Sequence, residues 1–394
     1  MKDKNDETLS NQPEEKKTEI DRRRFLGTAG AVAVGTLAGL SGGGAQLLAA
    51  GFQGGPRGNL GADPSNNSLR QKRTIVRVTI DIFSGRPNPV WILDEPLAKE
   101  VLRQIYAEPG VISPADQDRG VLGFRGLLLE IEGEDKLPWK IRLAGGFSKK
   151  ESRGLEIAEQ LIASLGRATV LPAHGEADRK AFEGLDLVTL VRQELNNVPL
   201  DGAAAPVDLS SPSSTVPVQK AANQVGGNND VIYGWTTYNQ GACLYEASGF
   251  NPSYWNASYV QPYNNCYNYA TNRRTDTFAQ PGRATGAGTT TMQCSTVANG
   301  AVSDQNLADP TCGASYLAPR DRMALVIWPG VDYHWYRRHN GTGNDEFWGH
   351  KPGSTAARNT DNSGRVIYNP ETANRGGYTV FCGYYYSPSN VVIQ

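Results

Sequence analysis

The chain has 394 residues, 39% of them hydrophobic and 20% charged, which fits a soluble globular protein rather than a membrane bundle or a disordered polymer. Lys and Arg number 39 against 40 Asp and Glu, a net charge of -1, so nucleic acid has no electrostatic reason to be the partner. Zinc-finger, Walker-type and HExxH spacings are absent, and the enzyme classes that depend on them are excluded.

Residues 1–20 are polar and highly charged, with the composition of a disordered segment. Asp21-Arg22-Arg23-Arg24-Phe25-Leu26-Gly27 follows, and then a Gly/Ala-rich apolar run from Thr28 to Leu40. Paired arginines, Phe-Leu and a mildly apolar stretch resemble a twin-arginine export signal over residues 1–50, with cleavage near Ala49 or Ala50. The alternative, a membrane anchor, is opposed by a run too short and glycine-rich to span ~30 Å. The resemblance implies the twin-arginine translocase as a partner and an extracytoplasmic location, periplasmic or secreted. Residues 51–73, rich in Gly, Asn and Ser, are expected to be a flexible tether.

From Thr74 the pattern changes. Val76, Val78, Ile80 and Ile82 alternate with Arg77, Thr79 and Asp81, the period of a half-buried strand. Ser84-Gly85-Arg86-Pro87-Asn88-Pro89 is a rigid turn with Arg86 at its tip; a structural role is favoured over a ligand contact for such a Pro/Gly cluster. Asp94 caps a helix carrying Leu97, Val101, Leu102 and Ile105. Leu127–Ile131 and Trp139–Leu143 form a hairpin, and Ser148-Lys149-Lys150-Glu151 opens a helix ending near Gly166. A last helix from about Glu176 to Leu195 completes a small α+β domain of unknown role over residues 74–200. Residues 201–228, rich in Ala, Pro, Ser and Gly, form a linker to a second domain over 229–394.

All five cysteines lie in that second domain. An odd number in an exported chain leaves one thiol over. Cys266 is the candidate, because Asn264-Asn265 places it in the first turn of a helix, where the N-terminal partial charge favours a thiolate. Cys243, Cys294, Cys312 and Cys382 are expected to pair, with three connectivities open. Three of four histidines fall between His334 and His350, around the hairpin turn Asn340-Gly341-Thr342-Gly343-Asn344. Folding symmetrically about Thr342 sets His334 opposite His350 and Tyr336 opposite Trp348.

A thiol at a helix start followed by histidines on paired strands is the layout that nucleophilic cysteine chemistry needs. The order resembles the papain-like, NlpC-type cell-wall peptidases and their amidase and acyltransferase relatives. The resemblance covers roughly residues 230–394 and rests on motif order. It implies an α+β fold with the cysteine helix packed on an antiparallel sheet, Cys266 as nucleophile, His334 as base, His350 as orienting third member and Tyr263 as an oxyanion donor. The implied reaction is attack of Cys266 on an amide of a peptide or cell-wall substrate, without cofactor or metal. The spacing departs from that family: about 67 residues separate Cys266 from His334, and the usual His-x-Gly-Ile strand signature is missing.

Two other readings compete. A metal site of His334, His339, His350 and Asp332 fits poorly, because strand positions 334 and 339 point to opposite faces. A non-catalytic secreted binding or matrix module is the alternative function. It rests on the aromatic, Asn-rich stretch with Trp235, Tyr238, Tyr245, Tyr254, Trp255, Tyr259, Tyr263, Tyr267 and Tyr269 as a surface, although such residues more often pack in cores and loops.

Overall fold

The alternation read from Val76 onward folds as strand β1, Ile75–Asp81. Val76, Val78 and Ile80 are fully buried on one face, and Arg77, Thr79 and Asp81 take the other. The computed structural model describes residues 74–117, 119–146, 151–174, 182–198, 230–231, 235–240, 243–289, 291–308, 320–340 and 346–394. The expected export signal, tether, linker and Ser148 capping box lie outside those residues.

Strands β2 (Pro89–Ile92), β3 (Ile112–Pro114), β4 (Gly126–Glu132), β5 (Lys140–Leu143) and β6 (Leu171–Pro172) join β1 in a six-stranded sheet, ordered β3-β5-β4-β1-β2-β6. The expected hairpin is β4–β5, with Leu129 opposite Ile141. Helix α1, Glu95–Ala107, starts where Asp94 accepts the Leu97 N–H at 2.9 Å. It buries Ala98, Val101, Leu102 and Ile105 against the even face of β1, together with Ile157, Leu161 and Ile162 of α2 (Glu151–Leu165). Helix α3 is Leu187–Leu195, shorter than the span predicted from Glu176. Gly184 takes φ +78°, and Asp186 caps the helix by accepting the Thr189 N–H at 3.0 Å, so the start moves past both.

The second half opens with short β7 (Asp230–Val231), then β8 (Trp235–Gln240) and β9 (Cys243–Gly249), α4 (Pro252–Trp255), α5 (Cys266–Ala270), β10 (Arg273–Arg274), α6 (Cys294–Ser303) and β11 (Leu307–Ala308). Long strands β12 (Arg320–Trp328), β13 (Asp332–Asn340), β14 (Glu346–His350) and β15 (Val380–Pro388) follow. Strands β8, β9 and β11–β15 form a seven-stranded sheet, mostly antiparallel, with β12 between β13 and β15. The architecture is mixed α+β with few helices. Residues Leu69–Gln394 form one compact unit, in which each of the stretches 74–200 and 229–394 supplies one of the two large sheets.

The sheet packs two cores on its faces because side chains of β12 and β13 alternate. Met323, Leu325, Ile327, Tyr333 and Trp335 pack with Cys266, Tyr267 and Ala270 of α5 on one face. Ala324, Val326 and Tyr336 pack with Trp348, Ile367 and Tyr378 on the other. Which residues face α5 decides which groups Cys266 can reach.

Candidate functional site

Helix α5 is held at its start by a reciprocal cap. Asn265 Oδ1 accepts the N–H groups of Tyr267 (3.0 Å) and Asn268 (3.1 Å), and Asn268 Oδ1 accepts the Asn265 N–H at 3.2 Å. Cys266 is thus at the helix N-terminus, as the sequence predicts, and its sulfur is in no disulfide. The environment is wrong for a nucleophile. Cys266 is fully buried, and burial, with the Asp332 carboxylate adding to it, pushes its thiol well above the ordinary value. A buried protonated thiol is inert.

The space in front of the thiol is filled by the protein itself. The Ser84 carbonyl faces the Cys266 N–H at 3.5 Å and also accepts the Gly353 N–H at 3.0 Å. Asn265 Nδ2 donates to the Gly85 carbonyl at 2.7 Å, and Tyr333 Oη donates to the same oxygen at 3.2 Å. In a thiol hydrolase the N–H groups at a nucleophilic helix start serve a developing oxyanion. Here the Ser84–Arg86 turn occupies that place.

Asp332 secures the turn. Its carboxylate accepts the N–H groups of Ser84 (2.6 Å), Gly85 (3.2 Å) and Arg86 (3.0 Å), and the Tyr378 hydroxyl at 2.5 Å. Arg86 folds back to donate to the Val331 carbonyl at 2.8 Å, with its guanidinium 5.3 Å from the Phe83 ring centroid. Only glycine fits at position 85, because a Cβ there would meet the Tyr333 ring at 2.4 Å. The turn is therefore a structural plug between the two sheets. Lys351, also fully buried, ties the next segment down by donating to the carbonyls of Gln261 (2.6 Å), Gly353 (2.7 Å) and Asn264.

His334 does not reach the thiol. Tyr333 and Trp335 share the core of Cys266, so His334 between them points through the opposite face. Its ring contacts Tyr336, His350 and Tyr378, with centroids 4.7, 5.0 and 6.0 Å away. Gly349 lies on the α5 face, where an added Cβ would meet Tyr269 Oη at 2.4 Å, so His350 too belongs to the far face. The structure brings His334 and His350 together but separates both from Cys266 by the sheet. The expected Cys266–His334 pair does not form, because His334 lies on the opposite face from Tyr333 and Trp335.

The histidine pairing also differs in register. Tyr336, not His334, stands opposite His350. His334 Nε2 reaches diagonally to His350 Nδ1 at 2.9 Å, and His350 Nε2 donates to the Thr360 carbonyl at 2.9 Å. That chain makes His350 Nδ1 the acceptor, so His334 Nε2 carries the proton and its remaining basic nitrogen is Nδ1. Nδ1 is buried with no hydrogen-bond partner. Burial, then the neighbouring His350, holds His334 well below the ordinary imidazole range; burial, then Arg358, depresses His350 to about 3. Both rings are neutral wall residues.

Tyr263 ends a single 3-10 turn, Gln261–Tyr263, with its ring edge-on to His174 at 6.5 Å. His339 lies on the α5 face, where its Nε2 bonds Tyr269 Oη at 2.6 Å and its Nδ1 donates to the Ser248 carbonyl at 3.0 Å. Among the described residues no group of three or more His, Cys, Asp or Glu could hold a metal ion. Cys294 and Cys382, two of the four cysteines expected to pair, form a disulfide joining α6 to β15. The side chain of Cys243 and all of Cys312 lie outside the described residues. Within the described part of the aromatic stretch, Trp255, Tyr267 and Tyr269 are buried, as are Asn264, Asn265 and Asn268, while Tyr254 and Tyr263 are half-buried and Tyr259 is exposed. Of the expected aromatic, Asn-rich surface, Trp255, Tyr267, Tyr269 and the three asparagines are turned inward, and the side chains of Trp235, Tyr238 and Tyr245 lie outside the described residues.

Asp332, Ser84, Tyr378 and Lys351 were not singled out by the sequence as a clamp. Asp332 and Ser84 stand 248 positions apart, and no local spacing links them.

No protein-family model matches the chain, and no solved structure matches it. A curated protein called insoluble matrix shell protein 1, from Ruditapes philippinarum, is 46% identical over 137 residues, covering 34% of this chain and 86% of that protein. The chain belongs to the family of insoluble matrix shell protein 1. The family membership overturns the thiol hydrolase expected from motif order: the relative is named as a matrix component, and neither cysteine-hydrolase chemistry nor a peptidoglycan substrate finds support.

Proposed function

We propose that this chain is a secreted, non-catalytic structural component of an extracellular matrix. The observation that carries the reading is the 46% identity across most of a protein named for an insoluble shell matrix. The geometry supports it, since the one free thiol among the described residues is buried, plugged by Ser84 and screened from both histidines by the sheet. The Cys294–Cys382 disulfide suits an oxidising location outside the cell. Arg22, Arg23, Phe25 and Leu26 before the apolar run support export by the twin-arginine route. The short cysteine helix on an antiparallel sheet supports papain-like descent for residues 230–394, with the chemistry lost.

The test is fractionation of the organism that makes the protein, with an antibody to the chain. The expected result is recovery in the extracellular matrix pellet after washing with salt and detergent. Recovery in the cytosol, or as a freely soluble secreted protein, contradicts the reading.

A further inference from the structure

Among the described residues, helices of the first half pack on one face of the first sheet. Helices α1 and α2 cover the even residues of β1, and the odd residues Arg77, Thr79 and Asp81 line a cleft of about 1100 Å³ on the other side. Its far wall comes from the second half of the chain, with Asn256, Gln261, Ser354 and Thr355. All six strands of the sheet contribute to the lining. Five gaps of ~4.8 Å give a length of roughly 24 Å, the extent of a linear chain rather than of one small solute.

We propose that this cleft binds a neutral polysaccharide chain, a reading that rests on the matrix function above and names its ligand class. Charge decides against the alternatives. Three cations line the cleft (Arg77, Lys140, Arg142) against three anions (Asp81, Asp116, Glu130), so no net field favours a polyanion or a metal ion. Most are already engaged: Arg77 and Lys140 hold Glu130 at 3.1 and 3.0 Å, and Arg142 holds Asp81 at 2.9 Å. What remains is a rigid, mixed field of donors and acceptors, which suits hydroxyl groups that both donate and accept. Trp139 supplies the apolar surface for the CH face of a sugar ring, and the Lys140 ammonium, 5.6 Å from the indole centroid, fixes its orientation.

Titration calorimetry on the purified full chain tests the assignment, with a neutral β-1,4-linked glucose hexasaccharide and a sulfated hexasaccharide as probes. The neutral probe is expected to bind, with an affinity that changes less than about twofold when NaCl rises from ~0.05 to ~0.5 M. Trp139→Ala should weaken it about tenfold, and Trp139→Phe by about threefold at most. Hydrogen exchange on the wild type needs no variant and should show slowing by the neutral probe at residues 138–142 and 256–262. No binding of the neutral probe, salt-sensitive preference for the sulfated one, or protection confined to other segments overturns the proposal. Absent saccharide binding in a protein still retained in the matrix removes the cleft assignment alone. Intact binding in a protein found outside the matrix removes the matrix reading alone.

Discussion

Replacing Asp81 by asparagine is expected to lower folding stability by about 3–5 kcal/mol, the usual cost of removing one partner from a buried ion cluster. Asp81 sits between two buried guanidiniums. Arg125 Nη2 and Nε donate to its Oδ1 at 2.6 and 3.0 Å, and Arg142 Nη1 donates to its Oδ2 at 2.9 Å. Burial pushes its carboxyl up, but Arg125 and Arg142 outweigh that and hold it well below the usual carboxylate range. Because the folded value is depressed, the contribution is present above the unfolded pKa of ~3.9 and is lost as pH falls through the folded value. A urea midpoint series should show this acid loss in the wild type and not in Asp81→Asn. Replacing all three groups by apolar residues (Asp81→Leu, Arg125→Met, Arg142→Met) should recover most of the deficit, since no uncompensated charge remains. A wild-type midpoint for Asp81→Asn would show that the cluster contributes nothing.

Asp332→Ala should cost about 3–5 kcal/mol as well, by a different route. Three backbone N–H groups of the turn and the Tyr378 hydroxyl would lose their acceptor in a region closed to water. Gly85 would then be held only through its carbonyl, and Ser84 through its carbonyl and its hydroxyl, which donates to the Tyr333 carbonyl at 3.2 Å, and the plug over Cys266 should open more often. Asp332→Asn should fall between, because the amide keeps one acceptor oxygen but turns an N–H group toward donors. The denaturant midpoint measures the loss, provided the slope is unchanged. Equal midpoints for wild type and Asp332→Ala would mean that the turn holds without its carboxylate.

Local features were legible where the residues themselves enforce them. Alternation fixed β1, Asp94 set the start of α1, and the Leu129 and Ile141 runs gave the β4–β5 hairpin. The start of α3 was misjudged because Gly184 and Asp186 override an apolar pattern extended back to Glu176. Around the β13–β14 turn, the assumed centre at Thr342 put His334 opposite His350, whereas the pairing of Tyr336 with His350 centres one residue later. The larger gap concerned faces. Position 334 alternates with 333 and 335, and nothing in the local sequence states which set α5 covers. Tyr333 and Trp335 take that side with Cys266, and the histidine goes to the other. Motif order therefore reproduced a layout whose chemistry depends on a choice of face that motif order does not contain.

Alkylation of Cys266 in the native protein tests most directly whether that layout is inert. Iodoacetamide at neutral pH should leave Cys266 unmodified until the chain unfolds, with the same protection in His334→Ala under conditions where both are folded, because burial and the Ser84 plug protect the thiol and the imidazole does not reach it. Rapid native-state alkylation with a midpoint well below the free thiol pKa of ~8.5, shifted upward by His334→Ala, would show a thiolate–imidazolium pair across the site and contradict the account.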